Sequence, residues 1–311
     1  MVPPRAGDRV DHRGRARRRP DGVRASRAQE WRESRARRKT GVVVTQGLVR
    51  SVIGALAIVA GLAAPARAQT DEIQVYNAEI AEQGVFNLTI HTNFTPVGIK
   101  TPAFPGAVTA DHSLNGVPEW AYGVKPWFEA GLYMPLYSVD RTMGFGLDGF
   151  KLRTLFVVPH AADRKFFYGT NFEFSVNAQR WNTSRFSSEI RPIVGVRLGD
   201  VDLIFNPILD TEYDGLKNLD FAPALRIALN LSKVWAVAAE EYDDFGHIDG
   251  FLPTNQQVHE IWGVIDRNGK LDFEAGIGAG LTSASDKLTL KMILSFDLNS
   301  PKPKDGAIKG S

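Results

Sequence analysis

The sequence predicts an all-β protein, a closed antiparallel up-and-down transmembrane β-barrel of about twelve strands. Three observations carry that expectation. Residues 84–299 break into short stretches that alternate apolar and polar side chains. Their connections are alternately short and long, and a leader with the order of an export signal stands ahead of them. Period-two stretches on a chain marked for export, with an even strand count and unequal rims, are the signature of an outer-membrane barrel.

In chain order, residues 1–41 come first, with 14 Lys plus Arg against 5 Asp plus Glu and almost no aliphatic side chains. Such a segment buries too little apolar surface to fold alone. Residues 42–68 then supply Arg50, an apolar run from Ser51 to Ala64 and Ala66-Arg67-Ala68, the order of a secretory signal peptide cleaved after Ala68. A signal peptide stands at or near a true start, so residues 1–41 read as a gene-start error, with Val42, Val43 or Val44 as the start. The run is shorter than the roughly 20 apolar residues of a spanning helix. Without residues 1–68 the chain has 21 basic against 30 acidic residues, a net of −9 rather than the +2 of the whole. The basicity therefore belongs to the leader, and nucleic acid is not an expected partner. Residues 69–83 read as a periplasmic N-terminal segment and 300–311 as a flexible tail. Zero cysteines remove thiol catalysis, thiolate metal sites and iron-sulfur clusters.

The expected strands cover 84–96, 117–124, 128–139, 150–160, 166–178, 185–198, 201–212, 219–231, 234–243, 258–267, 271–282 and 288–299. The last has the cleanest alternation. Leu288, Leu290, Met292, Leu294, Phe296 and Leu298 fall on one side and Thr289, Lys291, Ser295 and Asp297 on the other, with Ile293 the exception. In the strand 201–212, Ile204 and Ile208 dilute a polar side otherwise made of Asp202, Asn206, Asp210 and Glu212. Tight turns follow the even-numbered strands, among them Asn268-Gly269-Lys270, where both turn residues tolerate positive φ. Longer connections follow the odd ones at 97–116, 140–149, 179–184, 213–218, 244–257 and 283–287, which puts both termini in the periplasm. A soluble lipocalin-like barrel shares the period with the faces inverted. The leader, the even count and the rim asymmetry favour lipid outside and charge inside.

Trp120, Tyr122, Phe128, Phe166, Tyr168, Trp235 and Trp262 are expected on or near the apolar face at strand ends, where amphipathic rings favour the interface. Pro135, Pro159, Pro192, Pro207 and Pro223 fall inside or at the ends of strands in a sheet without an edge, so bulges or ladder breaks are expected there.

Tyr122–Tyr133, reading YGVKPWFEAGLY, resembles a recurring hairpin of proteobacterial barrels in the family named for the meta-cleavage pathway of phenol degradation. Tyr122, Gly123, Phe128, Glu129, Gly131 and Leu132 match that pattern, while Lys125-Pro126 departs from its usual Thr-Asp. Glu240-Glu241-Tyr242 and the stretch Ile73–Pro96 are also similar to segments of these barrels. The resemblance implies an outer-membrane barrel described as a transporter.

The inward set is expected to be Glu119, Glu129, Lys151, Arg153, Glu173, Glu189, Arg191, Arg197, Asp202, Asp210, Glu212, Asp220, Arg226, Glu240, Asp272, Glu274 and Lys291, eleven acids against six bases. Buried charges must be paired or hydrated, so this set describes either a wet pore or a network of ion pairs that fills the barrel. The function that follows is passive passage or binding of small solutes, with outer-membrane lipid as partner and no cofactor. The alternative is a closed barrel with a structural or lipid-interacting envelope role. A remote alternative is an outer-membrane esterase using Ser175 and His160, although Ser175 shares its face with Asn171, Glu173 and Asn177. His91, among Asn87, Thr89 and Asn93, reads as a structural hydrogen-bonding group, and the histidines show no metal-ligand spacing. Gly276, Gly278 and Gly280 are expected to let the wall curve or to admit bulky neighbours. Residues 69–83, including Tyr76, Asn77 and Glu79, are expected to plug the periplasmic mouth. Silencing every start codon upstream of Val42 is expected to leave normal amounts of exported protein, read by immunoblot of the membrane fraction. Loss of the protein would show that residues 1–41 are translated for a purpose.

Overall fold

Hydrogen-bonded neighbours close into a ring in the computed structural model, which describes residues 71–299. The expected leader 1–41, the expected signal peptide 42–68 and the expected tail 300–311 lie outside the described residues. The ladder runs through β1 (Phe86–Val97), β2 (Ser113–Lys125), β3 (Phe128–Asp140), β4 (Gly144–Val157), β5 (Phe166–Asn177) and β6 (Phe186–Leu198). It continues through β7 (Val201–Asn206), β8 (Leu209–Thr211), β9 (Asp220–Phe221) and β10 (Ala224–Asn230). The wall is completed by β11 (Trp235–Asp244), β12 (Val258–Arg267), β13 (Asp272–Gly280) and β14 (Leu288–Asp297). Two pairs, β7 with β8 and β9 with β10, are each one stave interrupted by a proline, so the wall has twelve antiparallel staves. Pairing of β1 with β14, from Asn87 opposite Asp297 to Val97 opposite Leu288, closes it.

Alternation sets the two faces. On β14, Leu290 and Met292 are exposed while Thr289, Lys291 and Ile293 are buried. On β4, Leu152 and Phe156 are exposed while Arg153 and Leu155 are buried. The solvent-accessible exterior is thus hydrocarbon and the enclosed interior carries the ionised groups, the inverse of a water-soluble barrel. At the rim of short turns, Phe86 lies tilted against Tyr122 (4.5 Å between centroids) and Phe128 stacks on Phe156 (4.8 Å), with Phe166, Tyr168 and Trp235 exposed on the same rim. This is one of the aromatic girdles that mark a bilayer interface.

The prolines obey the constraint that a missing N–H must face a fault. Pro135 sits at the register shift between Tyr133 and Leu136, opposite the shift in β2 that spans Pro118. Pro192 pairs with Thr170 on one side, and on its other side β6 faces the gap between β7 and β8. Pro207 and Pro223 form the gaps themselves, leaving Asn206 opposite Ala224 below and Leu209 opposite Phe221 above. Three adjacent staves therefore share one seam at one height. Pro159 is the exception, because β4 ends at Val157 and leaves it in a turn.

One connection is shorter than the sequence predicts. The expected loop 140–149 shrinks to 141–143, because β4 begins at Gly144. Of its glycines, Gly144 (φ 70°) serves the turn, whereas Gly146 and Gly149 serve close approach. A side chain at Gly146 would collide with the Arg180 guanidinium, and Gly149 (φ 136°) lies against the Val176 carbonyl. The other long connections, 98–112, 178–185, 212–219, 245–257 and 281–287, gather at the opposite rim from the short turns.

Leu152→Arg, on the exposed face midway along β4, is expected to destabilise the barrel in lipid vesicles by about 2–4 kcal/mol. The check is the urea midpoint of folding. An unchanged midpoint would mean that water, not hydrocarbon, meets this face.

Candidate functional site

The chain that precedes β1 does not leave the barrel. Gly84 donates its N–H to the Gly123 carbonyl at the short-turn rim (2.7 Å), and from there residues 83 down to 71 run through the lumen. Ala81 donates its N–H to Glu129 (2.6 Å). Tyr76 is clasped by Asn206, whose Oδ1 accepts from the Tyr76 N–H (2.7 Å) and whose Nδ2 donates to the Tyr76 carbonyl (3.1 Å). Arg191 donates to the Gln74 carbonyl (3.0 Å), Lys291 to the Ile73 carbonyl (3.1 Å) and Asn93 to the Asp71 carbonyl (3.1 Å). Six peptide groups of the segment that the sheet cannot reach are thus taken by wall side chains. The sequence places this plug at the mouth; the structure takes it to mid-height, because its partners Asn93 and Lys151 lie midway along β1 and β4.

Apolar packing fixes the segment on two sides. Val75, Tyr76 and Ala78 pack with Leu155, Phe167, Ile193, Ile204 and Ile208, and Ile73 packs with Trp262 and Val264. This explains Ile204 and Ile208, which break the polar face of their stave: they face inward to meet the segment. Trp262, expected outside, is buried inside for the same reason, and Gly278 leaves room for its ring.

Charge completes the fit. Lys151 pairs with Asp71 (2.8 Å) and with Glu173 of the wall (3.2 Å). Arg191 pairs with Glu189 (2.7 Å) and faces Glu72 at 3.6 Å. The Tyr76 ring lies beneath the Arg191 guanidinium (4.5 Å to centroid) and near that of Arg153 (5.6 Å). Its hydroxyl bonds the Tyr133 hydroxyl at 2.6 Å. Cation–π contacts of this kind gain most where water is excluded. Around the segment, Arg153 bridges Glu119 (2.6 Å) and Glu129, while His91 bonds Glu119 at 3.1 Å. Across the lumen, Arg226 contacts Glu240, Asp266 and Glu274, and Lys291 holds Glu240 and Glu274 (both 2.6 Å).

Below the segment a cavity of about 440 Å³ remains, lined by Tyr76, Asn77 and Glu79 and by Arg153, Arg197, Asp202, Arg226 and Glu274 of the wall. Asn77 caps the Glu79 N–H (3.0 Å), and Arg197 stands 3.9 Å from Glu79 and 4.0 Å from Asp202 while donating to the Ala161 carbonyl (2.7 Å). At the long-loop rim, Arg180 reaches inward to Asp140 and Asp148 (3.2 Å each), and the Arg180 carbonyl accepts from Val108 of the loop 98–112 (2.9 Å). Nearby, burial pushes the Asp286 carboxyl up to about 6, against the opposing hydrogen bond from the Ile99 N–H.

Of the residues expected inside, Arg153, Glu173, Arg191, Arg226 and Lys291 are buried within the lumen. Glu274, Arg197 and Asp202 line its lower half, and Asp210 stands in register opposite Glu189. Asp220 continues that row opposite Asp210, half-exposed at the loop rim and 3.1 Å from His247. Glu212 departs, being exposed in the loop 212–219 and accepting from Ser184. It falls just past β8, which ends at Thr211 and is too short to carry the inward row further. Ser175 and His160 cannot form a catalytic pair. Ser175 faces the lumen beside Lys151, and His160 is exposed in the turn past Val157, which pairs with Gly169. From Gly169 to Ser175 the strand climbs about 20 Å at its usual rise. Among the described residues no group of acids and histidines is arranged to hold a metal ion. Arg180 was not foreseen. Asp71 and Glu72 fell within the expected plug and Asn206 on the polar side of its strand, but none was singled out, and only Asn206 left a trace in the sequence, as a polar residue between two inward isoleucines.

A lipid-compatible exterior around an ionised, partly occluded lumen defines a twelve-stranded barrel of the outer-membrane type. No family model matches the sequence, and no curated protein matches it. Solved structures are similar in fold. An outer-membrane channel from Pseudomonas putida F1 shares 12% identity over 73% of this chain and 100% of that chain, with a TM-score of 0.49. The NanC porin shares 5% over 68% and 97%, TM-score 0.45. The toluene transporter TodX of Pseudomonas putida shares 11% over 70% and 90%, TM-score 0.35.

Arg153→Ala leaves Glu119 and Glu129 without their shared counter-charge, and the expected loss is about 3–5 kcal/mol of folding stability. Adding Glu119→Gln and Glu129→Gln should recover most of it. Denaturant midpoints in detergent check both; equal midpoints for the single and triple variants would show that the charge of these acids is immaterial.

Proposed function

We propose that this protein is an outer-membrane channel through which small solutes pass or in which they bind, and that it rests closed because residues 71–83 fill its charged lumen. One observation carries the reading: the segment that leads into β1 occupies the middle of a lumen whose walls otherwise present ionised side chains. A filler that served stability alone could be apolar throughout. This one is held by ion pairs and hydrogen bonds as well as by apolar packing, and those polar bonds are ones that water and a charged solute can replace. The resemblance of Tyr122–Tyr133 to barrels described as transporters supports the same reading. Export through the signal peptide and residence among outer-membrane lipids belong to it, with the short turns facing the periplasm.

Acids outnumber bases inside, so an opened lumen attracts cations. A second reading, a permanently closed barrel with a structural or lipid-interacting envelope role, is favoured by how completely Arg153, Arg226 and Lys291 are paired.

Planar-bilayer recording separates the two. Wild-type protein is expected to show rare, small steps, and Tyr76→Ala or removal of residues 71–83 to raise open probability several-fold, with a reversal potential that favours cations over anions. No conductance step from any of the three at high protein load would reject passage and leave the closed barrel.

A further inference from the structure

The lumen treats its resident segment as a peptide-binding protein treats a ligand. Along residues 71–81 the wall bonds the main chain as much as the side chains. The carbonyls of Asp71, Ile73, Gln74 and Tyr76 each accept from a wall side chain, and the N–H groups of Tyr76 and Ala81 each donate to one. These bonds go to the main chain and hardly depend on sequence, and the backbone that makes them bends at Ala78 (φ 62°). Specificity is added at two places. Lys151 and Arg191 receive the carboxylates of Asp71 and Glu72, and the space between Arg153, Arg191 and Tyr133 receives the Tyr76 ring and hydroxyl. Main-chain bonds for affinity with pockets for selected side chains is the logic of extended-peptide recognition.

We infer that the lumen is a peptide site, that residues 71–80 are its built-in occupant, and that the solute class it fits is a short acidic oligopeptide with an aromatic residue near its acids. The inference rests on the channel reading for its claim about passage, but the binding site stands on the geometry alone. A foreign peptide must compete with a segment tethered at Gly84, which holds a high local concentration. The wild-type protein should therefore bind such a peptide weakly, and loosening the resident segment should unmask the site.

The test uses the full mature chain with Glu72→Gln and Tyr76→Ala, which loosen the segment and leave every wall residue in place. A fluorescent peptide of sequence DEIQVYNAEI, residues 71–80, is titrated against the detergent-solubilised barrel and followed by anisotropy. Binding at least tenfold tighter than to the wild type is expected, with a tenfold loss when Asn206→Ala is added and a similar loss for a scrambled peptide. Heat-modifiable gel migration of each variant establishes that the barrel is folded. Should Asn206→Ala fail to fold, a peptide with its Asp and Glu replaced by Asn and Gln gives the same contrast on an intact wall. Equal affinity for native, neutral and scrambled peptides, or no gain over the wild type, would overturn the inference. Conductance is read separately. Peptide binding in a barrel that never conducts removes passage and keeps the site, whereas a conducting variant that ignores the peptide removes the site and keeps passage.

Discussion

In hydrocarbon there is no water to accept a stray N–H or carbonyl, so every backbone polar group in the wall must find its partner within the wall. Most features of this molecule follow from that constraint. The sheet closes through β1 and β14 because an edge in lipid would leave a row of groups unmet. Prolines survive only where the ladder already slips, and three of them share one seam across neighbouring staves. Even the lumenal segment obeys: lacking a sheet neighbour, its peptide groups are met by Asn93, Glu129, Arg191, Asn206 and Lys291.

Closure also decides where the charges go. Once the outer face is surrendered to lipid, the polar positions of every stave point into a space too narrow to hydrate them all freely. The result is a set of shared bridges in which one cation serves two or three acids, as Arg226 serves Glu240, Asp266 and Glu274. Lys151 and Arg191 are each served by one acid of the wall and one of the segment. The segment thus acts as a counter-ion as much as a stopper, and anything that displaces it must supply equivalent charge.

Much of the wall was legible in the chain because strands report their two faces through period-two alternation. Leu290, Lys291 and Met292 announce outside, inside and outside without help from any neighbour. Exceptions such as Ile204, Ile208, Trp262 and Ile293 looked like noise, since alternation cannot say what fills the space a strand faces. They are the places where the segment packs or the cavity is lined. The start of β4 was hidden for a related reason: a glycine needed for an approaching Arg180, as at Gly146, looks the same in sequence as one needed for a turn.

The sequence by itself determined the class of architecture, the strand order and which side of each stave is oily, because those depend on local periodicity and on turn chemistry within a few residues. Only the tertiary structure decided that residues 71–83 climb to the middle of the barrel and that Asn206 clasps Tyr76, a pair 130 positions apart. It also decided that Arg180 crosses to Asp140 and Asp148. Such contacts join groups distant along the chain, and their geometry exists only after the ladder has closed and set the width of the lumen.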